Sequence, residues 1–184
     1  MFKIYKKRGK ATVCWLRIPY HPDMDVSRRI TVKRNRLRFA AAHFATFQGG
    51  CEALHGHNYD VTVELEGELT EDSWVWDFGA IKRATKALAD ELDHKFLLQR
   101  QSRVLSITEH EAEWEVRFEQ RRYVFPKEDV AVLPIDNTTA ERIGEWFATG
   151  LLAFLDEAGA KNVVTLTVGI EEMPGQTGWY TVRR

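Results

Sequence analysis

The stretch "HGHNYDVTVELE", His55 to Glu66, decides the fold. Tyr59, Val61, Val63 and Leu65 share one parity, and Asp60, Thr62, Glu64 and Glu66 share the other. Side chains alternate across a strand, so this is the pattern of a half-buried antiparallel strand. His55 and His57 head the apolar row and project to the face of Tyr59 and Val61, while Gly56 between them faces away without a side chain to crowd them.

Upstream, Ile30 to His43 is also strand-like, with Leu37, Phe39, Ala41 and His43 on one parity and Arg34, Arg36 and Arg38 on the other. If these strands pair, His43 joins His55 and His57. A lone H-x-H is common as polar decoration, and the third imidazole is what points to a metal. Three neutral nitrogens with an open fourth position are the donor set of a catalytic zinc rather than of a closed structural one, although imidazoles also suit iron, nickel and copper. Cys51 stands just before the strand, where a loop would bring its sulfur near the metal as fourth ligand, nucleophile or base. A free thiol, with a pKa of about 8.5, needs a positive neighbour to ionise at neutral pH. Cys14 has no such company and reads as inert.

Downstream of a polar turn, "VWDF" is a short extended piece, and Ile81, Ala84, Leu88 and Leu92 then recur at helical spacing, a first helix from about Gly79 to Leu92. Asp93 and His94 follow in "LDHKFL". A carboxylate beside an imidazole can set its tautomer and raise its basicity, and the alternative is a capping aspartate with a surface histidine. In "RVLSITEHEAEWEVRFEQRRYVFP", Trp114, Val116 and Phe118 alternate with charges before the polar "EQR" turn, which predicts a β-hairpin over about residues 102–126.

The segment "DNTTAERIGEWFATGLLAFLDEAG" opens with capping residues, carries Ile143, Phe147, Leu151 and Phe154 on one stripe and meets Gly159 where a helix should stop, a second helix. A strand from Val163 to Glu172, a Pro-Gly turn and a strand from Trp179 to Val182 close the chain. By parity Glu172 continues the row of Val164, Leu166, Val168 and Ile170. That places its carboxylate at the mouth of the core or in a pocket, where two oxygens can accept a fork of N–H donors. Glu171, with Thr165 and Thr167, reads as solvated. The order of elements predicts an α+β fold with antiparallel pairing.

With 184 residues and a formal net charge of -1, the chain reads as one domain, residues 24–184, with no global attraction to nucleic acid. The alternating arginines read as a solvated face without interleaved aromatics, so no nucleic-acid partner is expected. No apolar run approaches the roughly 18–20 residues of a membrane helix. Two cysteines and no signal-like start suggest a cytoplasmic protein. Residues 1–23 show no clean period and read as an extension. Met24 begins what resembles a natural domain start, so translation could initiate there. His21 and His110 read as solvated.

Taken together, "FAAAHF", "CEALHGHNY", "WVWDFGAIK", "LDHKFL", "NTTAERIGEW" and "IEEMPGQTGWY" resemble, in order and from about Ile30 to Arg184, the 6-pyruvoyl-tetrahydropterin synthase family. The spacing of Cys51 to the HGH resembles the bacterial branch that makes 6-carboxy-5,6,7,8-tetrahydropterin for queuosine and related deazapurines. The resemblance implies a tunnelling fold, an antiparallel sheet with two helices on one face, carrying here an inserted β-hairpin. It also implies assembly into a barrel, commonly a homo-hexamer built as a dimer of trimers.

It further implies a Zn2+ cofactor on His43, His55 and His57, with Cys51, Asp93 and His94 as catalytic residues and Glu172 as pterin anchor. The substrate would be 7,8-dihydroneopterin triphosphate, with triphosphate and then acetaldehyde released. Cys51 becomes an acid-base residue rather than a fourth ligand. Where relatives often carry a hydroxyl residue before the glutamate of "NTTAE", this chain has Ala140, which leaves Thr139 as the expected pterin contact. The alternatives are a pyruvoyl-type or related lyase on the same substrate, and a non-catalytic pterin- or zinc-binding protein.

Overall fold

The protein is described by a computed structural model over residues 4–7, 10–13 and 26–184. Met24, Cys14 and His21 lie outside the described residues, and with them the expectations about the start of translation, an inert thiol and a solvated imidazole. Within the extension, β1 (Ile4–Lys7) and β2 (Lys10–Val13) pair antiparallel, strands that the irregular sequence pattern did not announce.

The next elements are β3 (Arg28–His43), β4 (Thr46–Phe47), β5 (Gly50–Cys51), β6 (His55–Gly67), α1 (Phe78–Leu92) and β7 (Lys95–Gln99). After them come β8 (Ser106–Glu109), β9 (Glu113–Phe118), β10 (Arg121–Pro126), a 3-10 turn at Lys127–Asp129, β11 (Val130–Leu133), α2 (Ala140–Glu157), β12 (Val163–Met173) and β13 (Gln176–Arg183). Six strands form one sheet in the order β11-β7-β3-β6-β12-β13.

The β3–β6, β6–β12 and β12–β13 pairs are antiparallel as expected. The sheet is nevertheless mixed, because β7 runs parallel to both β3 and β11. Neither β7 nor β11 is anticipated by the sequence pattern. "FLLQ" in β7 is buried at every residue, and a short strand covered on both faces shows no alternation to read.

Two register breaks shape the sheet. Lys33 of β3 pairs with Thr62 and Arg38 with Asp60, so β3 carries extra residues there, with Arg34 (φ 59°) and Arg36 (φ 76°) in the left-handed region. The bulge re-phases the strand: Val32 and Leu37, of opposite parity, are both buried. On β12 the register shifts beside Val164, which is exposed rather than in the core row that its parity implied, whereas Leu166, Val168 and Ile170 are buried as expected.

Both helices cover one face. α1 packs on β3 and α2 on β12 and β13, with α1 and α2 in contact. Ile81, Ala89 and Leu92 of α1 and Ile143, Phe147, Leu151 and Leu155 of α2 meet Phe39, Tyr59, Val61, Val63 and Leu65 in one core. α1 is capped by Asp77, whose carboxylate accepts from Gly79 N and Ala80 N, and α2 by Thr139. Gly159 beyond α2 has φ 70°, a left-handed stop.

The expected hairpin over residues 102–126 is a three-stranded antiparallel sheet, β10-β9-β8. Its Trp114 and Val116 pack with Phe44, Phe96 and Leu98 in a second core. Phe96 and Leu98 of β7 belong to that second core while Leu97 belongs to the first, so the insert covers the sheet face opposite the helices. No helix among the described residues is long and apolar enough to cross a membrane.

Candidate active site and metal centre

The β3–β6 register sets His43 directly opposite His55 and Ala41 opposite His57. The strand parities therefore bring three imidazoles to one place, and their ligating nitrogens all lie within 4.8 Å of one another. His43 is buried, His57 half-buried and His55 exposed. Tyr59 packs edge-on beneath His43 and His57, at 5.9 and 5.5 Å between ring centroids.

Second-row contacts fix the tautomers. His43 Nδ1 lies 2.9 Å from the Thr138 carbonyl oxygen and His55 Nδ1 2.9 Å from that of Ala53. A carbonyl can only accept, so each Nδ1 carries the proton and each neutral ring turns a bare Nε2 inward. Those two Nε2 atoms are 3.1 Å apart. Two lone pairs facing at that distance repel unless a cation lies between them, so the donor set fits a divalent ion. Burial pushes the pKa of His43 down to about 4 and that of His57 below its usual value, which keeps both rings in the neutral, ligating form near pH 7.

The Thr138 carbonyl is itself immobilised. Thr138 is buried, with its amide N and its Oγ1 each donating to Gln99 Oε1 at 2.9 Å. Asn137 bonds both backbone groups of Thr46, through Oδ1 and Nδ2. The segment before α2 is thereby locked to the end of β3.

A cavity of ≈ 560 Å³ opens over the histidines, lined also by Glu52, Thr139, Glu141, Glu172 and Gln176. Glu172 falls between Glu171, paired with Thr177, and Met173, paired with Gln176. It is the extra residue of a β-bulge, and the bulge leaves its carboxylate half-buried in the cavity. Burial, reinforced by Glu141 and Glu52, raises its pKa. Thr139 lines the cavity, and its hydroxyl also accepts from Arg142 N as the α2 cap. Gly178 lies against Ala140: a Cβ at Gly178 would come within 2.6 Å of the Ala140 Cβ, so β13 and the start of α2 are nearly in contact.

Cys51 does not line this cavity. It ends the β4–β5 hairpin, half-buried beside the second core, and its Sγ donates to the Glu52 carbonyl at 3.4 Å. Burial pushes the thiol pKa up, and Arg121 pulls it the other way. The carboxylate that faces the histidines is Glu52, with Oε2 4.0 Å from His55 Nε2. Nothing in the linear spacing singled it out.

Asp93 and His94 stand apart from Cys51. Asp93 Oδ1 accepts from Ala40 N at 2.8 Å and Oδ2 pairs with His94 Nδ1 at 3.0 Å. The neighbours do pair, because His94 takes a left-handed φ of 59° that turns its ring back onto the carboxylate. Such a conformation in a non-glycine residue is strained and recurs at functional sites. The Ala40 amide, chiefly, holds the Asp93 carboxyl below its usual range. The His94 side chain is 82% exposed and does not line the three-histidine cavity of its own chain. His110 is exposed, as read from the sequence, and Glu171 accepts from Gly175 N in the turn.

A family model described as 6-pyruvoyl tetrahydropterin synthase matches residues 31–183. A Methanocaldococcus jannaschii protein that carries the provisional name 6-carboxy-5,6,7,8-tetrahydropterin synthase is 37% identical over 145 residues, covering 78% of this chain and 89% of its own. The crystal structure of 6-pyruvoyl tetrahydropterin synthase from Plasmodium vivax superposes with a TM-score of 0.82 at 31% identity, covering 87% of this chain and 100% of its own. The same parasite enzyme, as a variant in which a glutamate named as a catalytic residue is replaced by alanine, matches equally, with TM-score 0.82, 31% identity and the same coverage, 87% and 100%.

Proposed function

This chain belongs to the 6-pyruvoyl tetrahydropterin synthase family of lyases, and from that premise we propose that it converts 7,8-dihydroneopterin triphosphate and one water to 6-carboxy-5,6,7,8-tetrahydropterin, releasing triphosphate and acetaldehyde, with zinc as cofactor. The observation that carries the reading is the pair of Nε2 atoms of His43 and His55, 3.1 Å apart on rings whose Nδ1 atoms each face a backbone carbonyl, beneath a cavity that also holds Glu172. The carboxy product is favoured by the name of the archaeal relative and by the Cys51 spacing.

Zinc held by His43, His55 and His57 would supply Lewis acidity at the substrate side chain. Glu172 accepts the pterin amino and ring N–H groups through both oxygens and so fixes the ring for reaction. Its raised pKa falls back once those donors arrive. Cys51, as thiolate, moves a proton on one face of the side chain. His94, its Nδ1 tied to Asp93, offers Nε2 on the other. Because His94 faces outward, the second imidazole comes from a neighbouring copy. The two outer strands of the sheet, β11 and β13, each pair on one side only with a described strand, which suits closure of copies into a barrel.

A second reading rests on Glu52. Since Glu52 and not Cys51 lines the cavity, and the Plasmodium enzyme has a glutamate named as a catalytic residue, the carboxylate rather than the thiol would move the proton, in a pyruvoyl-type or related lyase reaction. Incubating the zinc-loaded protein with dihydroneopterin triphosphate decides. Acetaldehyde release that Cys51→Ala abolishes supports the first reading. A pyruvoyl product, or activity lost in Glu52→Gln and kept in Cys51→Ala, replaces it with the second.

A further inference from the structure

Among the described residues of the insert β8–β10, Arg121 makes hydrogen bonds to the segment that carries Cys51 and Glu52. Arg121 opens β10 directly after the Glu119–Gln120 turn, and its guanidinium lies over Phe118, with Cζ 4.9 Å from the ring centroid. From there Nη1 donates to the Glu52 carbonyl at 2.7 Å and Nη2 to the Cys51 carbonyl at 2.6 Å. One planar fork thus spans two consecutive peptide oxygens, both belonging to residues that could move the proton.

The held segment has few other ties. Residues 52–54 are exposed and irregular between β5 and β6; besides the fork, Glu52 N donates to Ala45 O at 3.0 Å, Ala45 N donates to Glu52 Oε2 at 3.3 Å, and the Ala53 carbonyl accepts from His55 Nδ1 at 2.9 Å. The holder is rigid by contrast. Trp114 and Val116 are buried, and Phe125 of β10 stacks on Phe96 of β7 at 4.1 Å between centroids. The main sheet therefore supports β10, and β10 presents Arg121.

We propose that the insert is a strut and Arg121 a positioning residue, whose fork fixes the Cys51–Glu52 peptides so that the thiol and the carboxylate keep their places beside the three-histidine cavity. The proposal rests on the functional reading above for the roles of Cys51 and Glu52, and not for the fork itself. A lysine would keep the charge but not the geometry, because its ammonium offers one nitrogen with rotatable donors where the guanidinium offers two nitrogens in a fixed plane. The guanidinium is also the positive neighbour that the Cys51 thiol requires to ionise, opposed by Glu52; these are the two charged groups facing it.

The test compares the full-length, metal-loaded parent with Arg121→Met, which keeps the aliphatic stem, and Arg121→Lys, which keeps the charge. Three readouts are needed: kcat and KM, bound metal, and the pH profile of Cys51 alkylation by iodoacetamide. For Arg121→Met the expected result is a kcat lower by about tenfold or more, because small displacements at a reacting group cost that much. KM should stay within about twofold and bound metal should be unchanged, while the alkylation midpoint moves to higher pH. Arg121→Lys should restore the alkylation midpoint and only part of kcat. An unchanged kcat per bound metal in Arg121→Met overturns the proposal even if the thermal midpoint falls, since that is a purely structural role. If the parent itself shows no turnover the functional reading fails, and the alkylation profile alone decides on the strut: a midpoint indifferent to Arg121→Met overturns it.

Discussion

His43 shows how far single residues carry the account. Its place was legible in the sequence because it depends only on strand parity and pairing, and the pairing of β3 with β6 sets it opposite His55. Thr138, Gln99, Glu52 and Arg121 were not legible. His43 meets Thr138 across 95 positions, and Arg121 meets Cys51 across 70, and no local period encodes such contacts.

The burial of His43 also has a measurable consequence for metal-free protein. Its folded pKa is about 4 against 6.5 when unfolded. Between those values the unfolded chain binds a proton that the folded chain does not, so stability is intact above pH 6.5 and falls as the pH drops toward 4. A gap of this size corresponds to about 3 kcal/mol. Urea unfolding of the metal-free parent and of His43→Gln at pH 7 and pH 4.5 should show the parent losing more stability on acidification, and equal losses would refute the assignment.

Among the elements, the helices were read almost to the residue, since α1 and α2 each carry an apolar stripe over four or more turns. The strands were read in part. The β3 bulge was hidden because Ile30 and Val32 alternate as well as Leu37, Phe39 and Ala41 do, and only the change of parity between the two runs marks the break. The β9–β10 pair was read as a hairpin, and β8 was missed because "SITE" is short and mostly exposed.

The pairing of β3 with β6 is what sets the distance between His43 and His55, and Gly56 allows it. A Cβ there would come within 2.8 Å of the Ala41 carbonyl oxygen, a backbone atom that cannot swing aside. Gly56→Ala should therefore push the two strands apart at their histidine-bearing ends. The expected cost is about 1–3 kcal/mol of stability from overpacking, together with a loss of metal affinity of about 10- to 100-fold, the usual penalty for disturbing ligand orientation. Metal titration against a competing chelator measures the second effect. Unchanged affinity would mean that the ligands are held by their loops rather than by the strand spacing.

For the whole molecule, the order of elements indicated α+β architecture and the family resemblance implied two helices on one face, and both are present. What it did not indicate is that the insert forms its own layer on the opposite face, and that β7 and β11 make the sheet mixed. Both follow from the same physics: "KFLLQ" must be apolar on two sides because helices cover one and the insert covers the other.

The site emerges only at this scale. β3 and β6 supply the imidazoles, the loop before α2 orients one of them, the bulge in β12 turns in Glu172, and the insert holds the segment carrying Cys51 and Glu52. The central claim is that these parts make an open three-histidine metal centre which Cys51 serves without closing. X-ray absorption at the zinc edge of the metal-loaded, substrate-free protein tests it most directly. Light nitrogen or oxygen neighbours alone are expected at about 2.0–2.1 Å, with three imidazoles among them. A sulfur neighbour at about 2.3 Å would contradict it, because the thiolate would then occupy the position that the substrate needs.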